Sequence, residues 1–172
     1  MRIRAAAVLL VVVLSGCSAP DSGELTGQAA RDQLTIILAA SIDAFDSAGG
    51  SETTLAGDQQ RAVIYDPAAP AGRQVVTVDL SDAGSPAFAE ETALSLPSVE
   101  DMTATAEFRA ADARLEGDTF HIEGDAYGLD VRVKDDRVAQ IDLTAAGGSA
   151  AQSILVTYGI GAEARRLFDA AG

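Results

Sequence analysis

The sequence predicts an α+β fold, in which a curved antiparallel sheet, half-barrel-like in shape, packs on an N-terminal helix and a short C-terminal helix. Three patterns support this class. Apolar residues recur at helical spacing before position 48, they alternate with polar residues over much of the second half, and glycine or aspartate pairs separate the alternating runs. A sheet that exposes one face to solvent and buries the other against helices is typical of the α+β class.

The first predicted element is a helix from about Leu25 to Ala48. Its apolar residues recur three and four positions apart, and Gly49-Gly50 supplies a stop. Those residues are Ala30, Leu34, Ile37, Leu38, Ile42 and Phe45. One amphipathic helix therefore opens the folded part of the chain.

Two strands and a short helix are predicted to follow. A loop over residues 67–72 separates the strands, and the helix runs from Pro86 to Leu96, with Ser85 as its cap and Pro97 as its end. The strands carry alternating apolar residues at Val63, Tyr65, Val76, Val78 and Leu80.

The second half is predicted to be an antiparallel meander closed by a helix from Ala162 to Ala171. Turns are expected at Gly117-Asp118 and Asp135-Asp136, with an interruption at Gly147-Gly148. The alternating residues are Ala104, Ala106, Phe108 and Ala110, then Phe120 and Ile122, then Leu129, Val131 and Val133, then Ala139, Ile141 and Leu143, and finally Ile154, Val156 and Tyr158.

The N-terminus has the shape of a secretory signal. Arg2 and Arg4 precede an apolar run from Ala5 to Leu14, which is too short to span a hydrocarbon core because spanning takes about 20 apolar residues. The block Leu14-Ser15-Gly16-Cys17 closely resembles the lipobox of bacterial lipoproteins.

That resemblance implies that residues 1–16 are a signal peptide cut before Cys17, whose sulfur receives a diacylglyceryl group. Residues 17–24 then form a lipidated flexible tether, and residues 25–172 form a single α+β domain. Because two or more acyl chains hold a protein at a membrane, we expect a lipid-anchored protein on the extracytoplasmic face of the cell membrane. The alternative is a conventional signal in which Cys17 is incidental.

Composition limits the partners and the redox chemistry. Loss of Arg2 and Arg4 with the signal takes the formal net charge from −14 to −16, and such a surface repels nucleic acid. Cys17 is the only cysteine, which excludes an intramolecular disulfide. Lys134 is the only lysine and alanine is abundant, a composition typical of GC-rich genomes, so a high-GC Gram-positive source is expected.

A second resemblance covers Asp130 to Gly159. The charged hairpin DVRVKDDRVAQIDLTA, the crossing AAGGSA and the strand SILVTYG resemble the C-terminal part of the lipoprotein-carrier half-barrel group. In that group an incomplete barrel wraps around helices and leaves an apolar hollow that holds acyl chains, without catalytic residues. The run from Ser51 to Glu100 departs from the group because it lacks a clean set of strands.

The second resemblance implies a concave apolar surface, some of which contacts lipid. The alternative is that the same residues simply pack on the helices. The candidate residues are Val76, Val78, Phe108, Phe120, Ile122, Leu129, Val131 and Ile141.

The residue types favour neither catalysis nor metal binding. His121 is the only histidine, and on a strand it points away from the face of Phe120 and Ile122. No GxSxG motif or phosphate-binding loop is present. We therefore predict no catalytic residue, no metal site and no cofactor; an enzyme would require a cleft in which His121 meets at least two carboxylates.

Two functions remain. The first is an anchored, non-catalytic lipoprotein that binds or carries acyl lipids in an apolar hollow. The second is a cell-envelope protein-interaction module with a filled core and no small-molecule ligand. An apolar cavity open at one edge favours the first, and a filled interior favours the second.

Overall fold

The computed structural model describes residues 25–80, 95–146 and 151–171. Within them, nine strands form one open, curved antiparallel sheet, so the predicted α+β class is confirmed. The elements in chain order are β1 (Leu25–Thr26), α1 (Gly27–Ala48), β2 (Gly50–Ala56), β3 (Gln59–Tyr65), β4 (Val75–Asp79), α2 (Leu96–Thr103), α3 (Ala106–Ala110), β5 (Asp112–Glu116), β6 (Thr119–Glu123), β7 (Tyr127–Lys134), β8 (Arg137–Ala145), β9 (Ala151–Tyr158) and α4 (Ala162–Ala171).

The order of strands across the sheet differs from their order in the chain. The sheet runs β1-β5-β6-β7-β8-β9-β2-β3-β4, so β2 pairs with β9 and joins the C-terminal meander to the N-terminal hairpins. The predicted helix is confirmed as α1, except that Leu25 and Thr26 pair with β5 as a short edge strand.

The helix α1 fills the concave face of the sheet. Ala30, Leu34 and Leu38 are fully buried and belong to one large apolar cluster with residues of β5 to β9. Their spacing of four puts them on one side of the helix, and the exposed Ile36 lies on the other. Burial of this apolar stripe is the main stabilising contact between helix and sheet.

Two glycines let α1 pass directly into β2. A Cβ atom on Gly49, whose φ is +69°, would lie 2.5 Å from the Tyr65 carbonyl oxygen. A Cβ atom on Gly50 would overlap the Thr157 carbonyl oxygen and lie 2.8 Å from the Phe45 ring. The predicted stop is therefore also a site of close approach that no larger residue fits.

The two faces of the sheet carry different helices. Along β3 and β4, Ile64 pairs with Val76 and Ala62 pairs with Val78, and these residues alternate with those on the concave face. Their side chains therefore lie on the outer face, where Ile64, Val76 and Val78 form a second cluster with Phe168 of α4. Thus α1 and α4 pack on opposite faces.

Three predictions about the local structure are wrong. The run Ala104–Ala110 is not a strand: Thr105 accepts a hydrogen bond from the Phe108 amide and caps the short helix α3. Pro97 does not end a helix but stands in the first turn of α2, where a missing amide is tolerated. A third strand, β2, follows α1; the remainder of the helix predicted from Pro86 lies outside the described residues.

The turns of the meander are confirmed. Gly117 has a φ of +61° between β5 and β6. Asp135 and Asp136 both have positive φ values between β7 and β8, as a two-residue hairpin of type I′ requires. The predicted strand at Ile154 to Tyr158 and the closing helix are also present, as β9 and α4.

A buried hydroxyl joins α1 to the sheet. Ser41 is fully buried, and its Oγ accepts a hydrogen bond of 2.9 Å from the Val138 amide while it donates to the Ile37 carbonyl. The Tyr158 hydroxyl donates to the Val138 carbonyl at 2.9 Å. These side chains satisfy backbone groups of β8 just before its pairing with β9 begins at Gln140.

A buried carboxylate joins β2 to α2. Glu52 lies on the concave face, is 6% exposed, and accepts a hydrogen bond of 2.9 Å from the Leu96 amide at the start of α2. Burial raises the pKa of the Glu52 carboxyl above its ordinary 4.5, although the Leu96 hydrogen bond acts in the opposite direction.

We expect Leu38→Ala to lower the free energy of unfolding by about 2 to 5 kcal/mol, because it leaves a cavity under α1. The matched control is Ile36→Ala, two residues along the same helix, where the side chain is 69% exposed and the change should stay within about 0.5 kcal/mol. Urea titrations of both variants measure the difference. Equal losses would contradict the packing of α1.

Replacement of Glu52 by glutamine should raise stability at pH 8, and the gain should fade near pH 4. The side-chain oxygen of the glutamine still accepts the hydrogen bond from the Leu96 amide, but the glutamine carries no charge that must be buried. Because the folded pKa is raised, the stability contributed by the protonated carboxyl is complete below pH 4.5 and is lost as the pH rises through the folded value. Thermal melts across this range test the difference, with the exposed Glu123→Gln as control; a gain independent of pH would contradict it.

Candidate functional site

Most of the predicted ligand-facing residues form the core beneath α1. Five of them share the concave face and are at most 1% exposed. They pack in one cluster with Leu34 and Leu38 of α1. These five are Phe120, Ile122, Leu129, Val131 and Ile141. In the part of the chain that the structure describes, their side chains therefore contact protein.

The prediction that all eight candidates line one concave surface is wrong. Phe108 joins the concave cluster from α3 and not from a strand. Val76 and Val78 face the opposite side of the sheet, because their cross-strand neighbours Ile64 and Ala62 alternate with the concave residues of β3. Register and strand order decide this, and neither is visible in the hydrophobic pattern.

The outer face carries a histidine between two carboxylates. His121 Nδ1 lies 2.7 Å from Asp130 Oδ1 on the neighbouring strand, and its Nε2 lies 3.9 Å from Glu116 Oε2. Arg114 Nε donates to Glu116 Oε1 at 2.6 Å. As predicted, the imidazole points away from the face of Phe120 and Ile122.

Arg114, His121 and Asp130 border a groove of about 560 Å³ at the end of β6 to β8. Tyr127 also borders the groove, but its side chain shares the concave face with Leu129 and Val131, and its buried hydroxyl has no hydrogen-bond partner among the described residues. Burial, helped by the nearby Glu107 carboxylate, raises the pKa of that hydroxyl. An enzyme was expected to need a cleft in which His121 meets two carboxylates. That condition is met only in part, because Asp130 lines the groove whereas Glu116, 3.9 Å from Nε2, is not among the described residues that line it.

Among the described residues, this groove lacks the nucleophile of a catalytic triad. Asp130 orients the imidazole as the third member of a triad does, but the imidazole is hydrogen bonded to no hydroxyl or thiol within the described residues. The Ser153 hydroxyl, three strands away on β9, donates to Asp142 instead. The arrangement can bind polar ligands or transfer a proton.

A second groove of about 490 Å³ lies beside α4 on the outer face of β2 and β3. The helix α4 is fixed to the sheet by Phe168 in the outer cluster and by Arg165, whose Nη1 is 2.5 Å from Asp66 Oδ2. The Arg165 hydrogen bond, with a second one from the Ala68 amide, lowers the pKa of the Asp66 carboxyl. Stability from this carboxylate is present above its ordinary pKa of 3.8 and is lost as the pH falls through the folded value.

Sequence reasoning did not find the groove beside α4. Its lining combines residues from β2, β3, the end of β9 and α4, which are far apart in the chain. The available signal is a run of small residues, Gly161, Ala162 and Ala164, at the start of the amphipathic α4. Alanine is so common in this chain that the signal is weak.

Within residues 25–80, 95–146 and 151–171, no three side chains of His, Cys, Asp or Glu type are placed to hold a metal ion. No helix in those ranges is both long and apolar enough to cross a membrane. The lipobox and Cys17 lie outside the described residues. The chain matches no protein-family model, no curated protein and no solved structure. Both resemblances therefore stay predictions.

Proposed function

We propose that this protein is a lipoprotein held on the extracytoplasmic face of a cell membrane by lipid on Cys17. The observation that carries this proposal is the block Leu14-Ser15-Gly16-Cys17 directly after a charged and apolar signal. The position of Leu25 supports it, since β1 enters the sheet only eight residues after Cys17 begins the tether. An extended segment of that length spans at most about 29 Å, so the domain stays close to the bilayer.

The folded domain acts by binding and not by catalysis. The filled concave face supports this form of the proposal, because the residues expected to line an acyl-lipid hollow are covered by α1. A filled core supports the envelope interaction module over carriage of lipid on the concave side. Any ligand then meets the outer face or the rim of the sheet.

A second candidate function is proton-transfer chemistry at His121. The specific observation that favours it is the 2.7 Å contact between His121 Nδ1 and Asp130 Oδ1 at the border of a groove of about 560 Å³. In a catalytic triad, such a carboxylate holds the imidazole of the general base in its working orientation. It ranks second because Nε2 faces another carboxylate and is not hydrogen bonded to a nucleophile within the described residues.

Replacement of Cys17 by serine should abolish lipidation and release the protein from the membrane, because oxygen does not replace the acceptor sulfur. Incorporation of radiolabelled palmitate and the distribution between membranes and medium measure the effect. Ser18→Ala, one residue beyond the motif, is the matched control and should keep the label. Persistent labelling of the serine variant, or a mature N-terminus at any other residue, would contradict the anchor.

We expect the wild type and His121→Ala to hydrolyse chromogenic carboxylate ester, phosphate and glycoside substrates at equal background rates. General acid–base catalysis typically contributes about 10²- to 10⁴-fold, so an active dyad would separate the two proteins clearly. Asp130→Asn is the companion variant. A rate that falls at least 100-fold in both variants would replace the binding function by the second candidate.

A further inference from the structure

We propose that two copies of this chain pair along the free edge of β4, so that the sheet of one copy continues into the sheet of the other. This inference rests on the proposed function, because it names the partner of the anchored interaction module. The observation that carries it is an edge strand with outward-facing backbone groups, an exposed valine and charges that make the strand complementary to itself.

The strand β4 is one of the two edges of the sheet. It pairs with β3 on one side, and among the described residues no strand pairs with its other side. At the opposite edge, β1 has only two residues and passes directly into α1, whereas β4 pairs over five residues without a register shift. Its sequence VVTVD contains neither proline nor lysine, which commonly protect edge strands. An edge of this kind can accept another strand.

The backbone of β4 directs two residues toward the free edge. The Asp66 amide donates to the Gln74 carbonyl at 2.8 Å, just beyond one end of the β3–β4 pairing and in the same register. In an antiparallel ladder every second residue bonds to the neighbouring strand, so the phase is set from Gln74 onward. The N–H and C=O groups of Val75 and Thr77 therefore point away from β3, and they have no hydrogen-bond partner within the described residues.

An apolar row ends at this edge in an exposed valine. The Phe45 ring of α1 stacks on the Tyr65 ring of β3 with centroids 6.1 Å apart, and Tyr65 stands directly opposite Val75. The Val75 residue is nevertheless 58% exposed. A strand added at the edge would place a side chain beside Val75 on the same face and cover it.

The residues around Val76 make β4 complementary to itself. In an antiparallel pair centred on Val76, Val75 stands opposite the partner's Thr77, and both residues use their outward-facing backbone groups. The same register brings the exposed Arg73 opposite the partner's Asp79, once on each side of the two-fold axis. Opposite charges in facing positions favour strand pairing, whereas like charges oppose it.

The neighbouring registers lack this complementarity. A pair centred on Thr77 puts the apolar Val75 beside the partner's Asp79 carboxylate. A pair centred on Val75 separates Arg73 from the partner's Asp79, so that no charge pair forms. The chemistry of the strand therefore selects the register centred on Val76.

The size of the contact explains why the anchor matters. A stable interface buries about 1,200 to 2,000 Å² in total, and one pair of five-residue strands lies at or below the lower limit. Copies held on one membrane meet at a high effective concentration, which offsets weak affinity. Repulsion between the acidic copies is screened beyond about 8 Å at physiological salt. The β4 edge is accessible there, because about 38 Å of sheet, or eight strand spacings, separates it from the tethered β1.

The test traps the pair with disulfides in the lipidated protein in liposomes, where the acylated Cys17 offers no free thiol. We expect copies with Val75→Cys to cross-link to differently tagged copies with Thr77→Cys, because the Cα atoms of a hydrogen-bonded antiparallel pair lie about 5.5 Å apart. Liposomes with one variant alone should form the cross-link at least about 5-fold less, because identical positions then lie on a diagonal, beyond about 7 Å.

Two further variants test the contact. Thr77→Pro, added to the Val75→Cys copies, removes an outward N–H and should lower the cross-linked fraction about 10-fold. It removes no hydrogen bond from the β3–β4 ladder, so the monomer should fold, as circular dichroism checks. Arg73→Glu in both copies should lower the fraction about 3-fold to 10-fold, because both charge pairs become repulsive. Arg109→Glu, at an exposed arginine of α3, is the matched control and should change nothing.

Stronger cross-linking between identical positions, or none in any combination, would overturn the pairing. Protection of both thiols from alkylation without a cross-link would assign the edge to another occupant and overturn it as well. If Cys17 carries palmitate while the chains stay separate, the dimer fails and the anchored location stands. If the label is absent and the mixed cross-link still forms in concentrated solution, the anchor fails and the pairing stands.

Discussion

The fold depends on the passage of α1 into β2 through Gly49 and Gly50. The helix must leave the concave face and enter the middle of the sheet within two residues, beside the carbonyl oxygens of Tyr65 and Thr157. That step puts β2 between β9 and β3. It therefore joins the C-terminal meander to the N-terminal hairpins and holds α1 against both, and any side chain at either glycine would push the three strands apart.

Buried polar groups then fix how the helices sit on the sheet. Ser41 links α1 to the backbone of Val138, and Glu52 links β2 to the first amide of α2. Apolar packing is not directional, whereas a buried hydrogen bond is lost if the helix slides by one turn. The apolar contacts supply the stability, and these two groups select one position for each helix.

The two faces of the sheet differ in what covers them. The concave face is occupied by α1, while the outer face carries the His121 groove at one end and the α4 groove at the other. Sequence patterns place His121 on the outer face, because alternation along β6 is unambiguous. The same patterns do not predict that His121 contacts Glu116 and Asp130, because those contacts depend on how β5, β6 and β7 pair.

The sequence by itself determined the class of fold, the helix α1, the hairpins at Gly117 and Asp135-Asp136 and the closing helix, because each rests on local periodicity or turn chemistry. It did not reveal β2, whose run GSETTLA places Glu52 and Thr54 on the buried face, nor α3, since alternating alanines suit helix and strand equally. Only the tertiary structure decided that Val76 and Val78 lie on the outer face of the sheet, whereas Val131 and Ile141 lie on the concave face. The pairing of β2 with β9 sets that relation, and it joins residues about 100 positions apart that no local pattern connects.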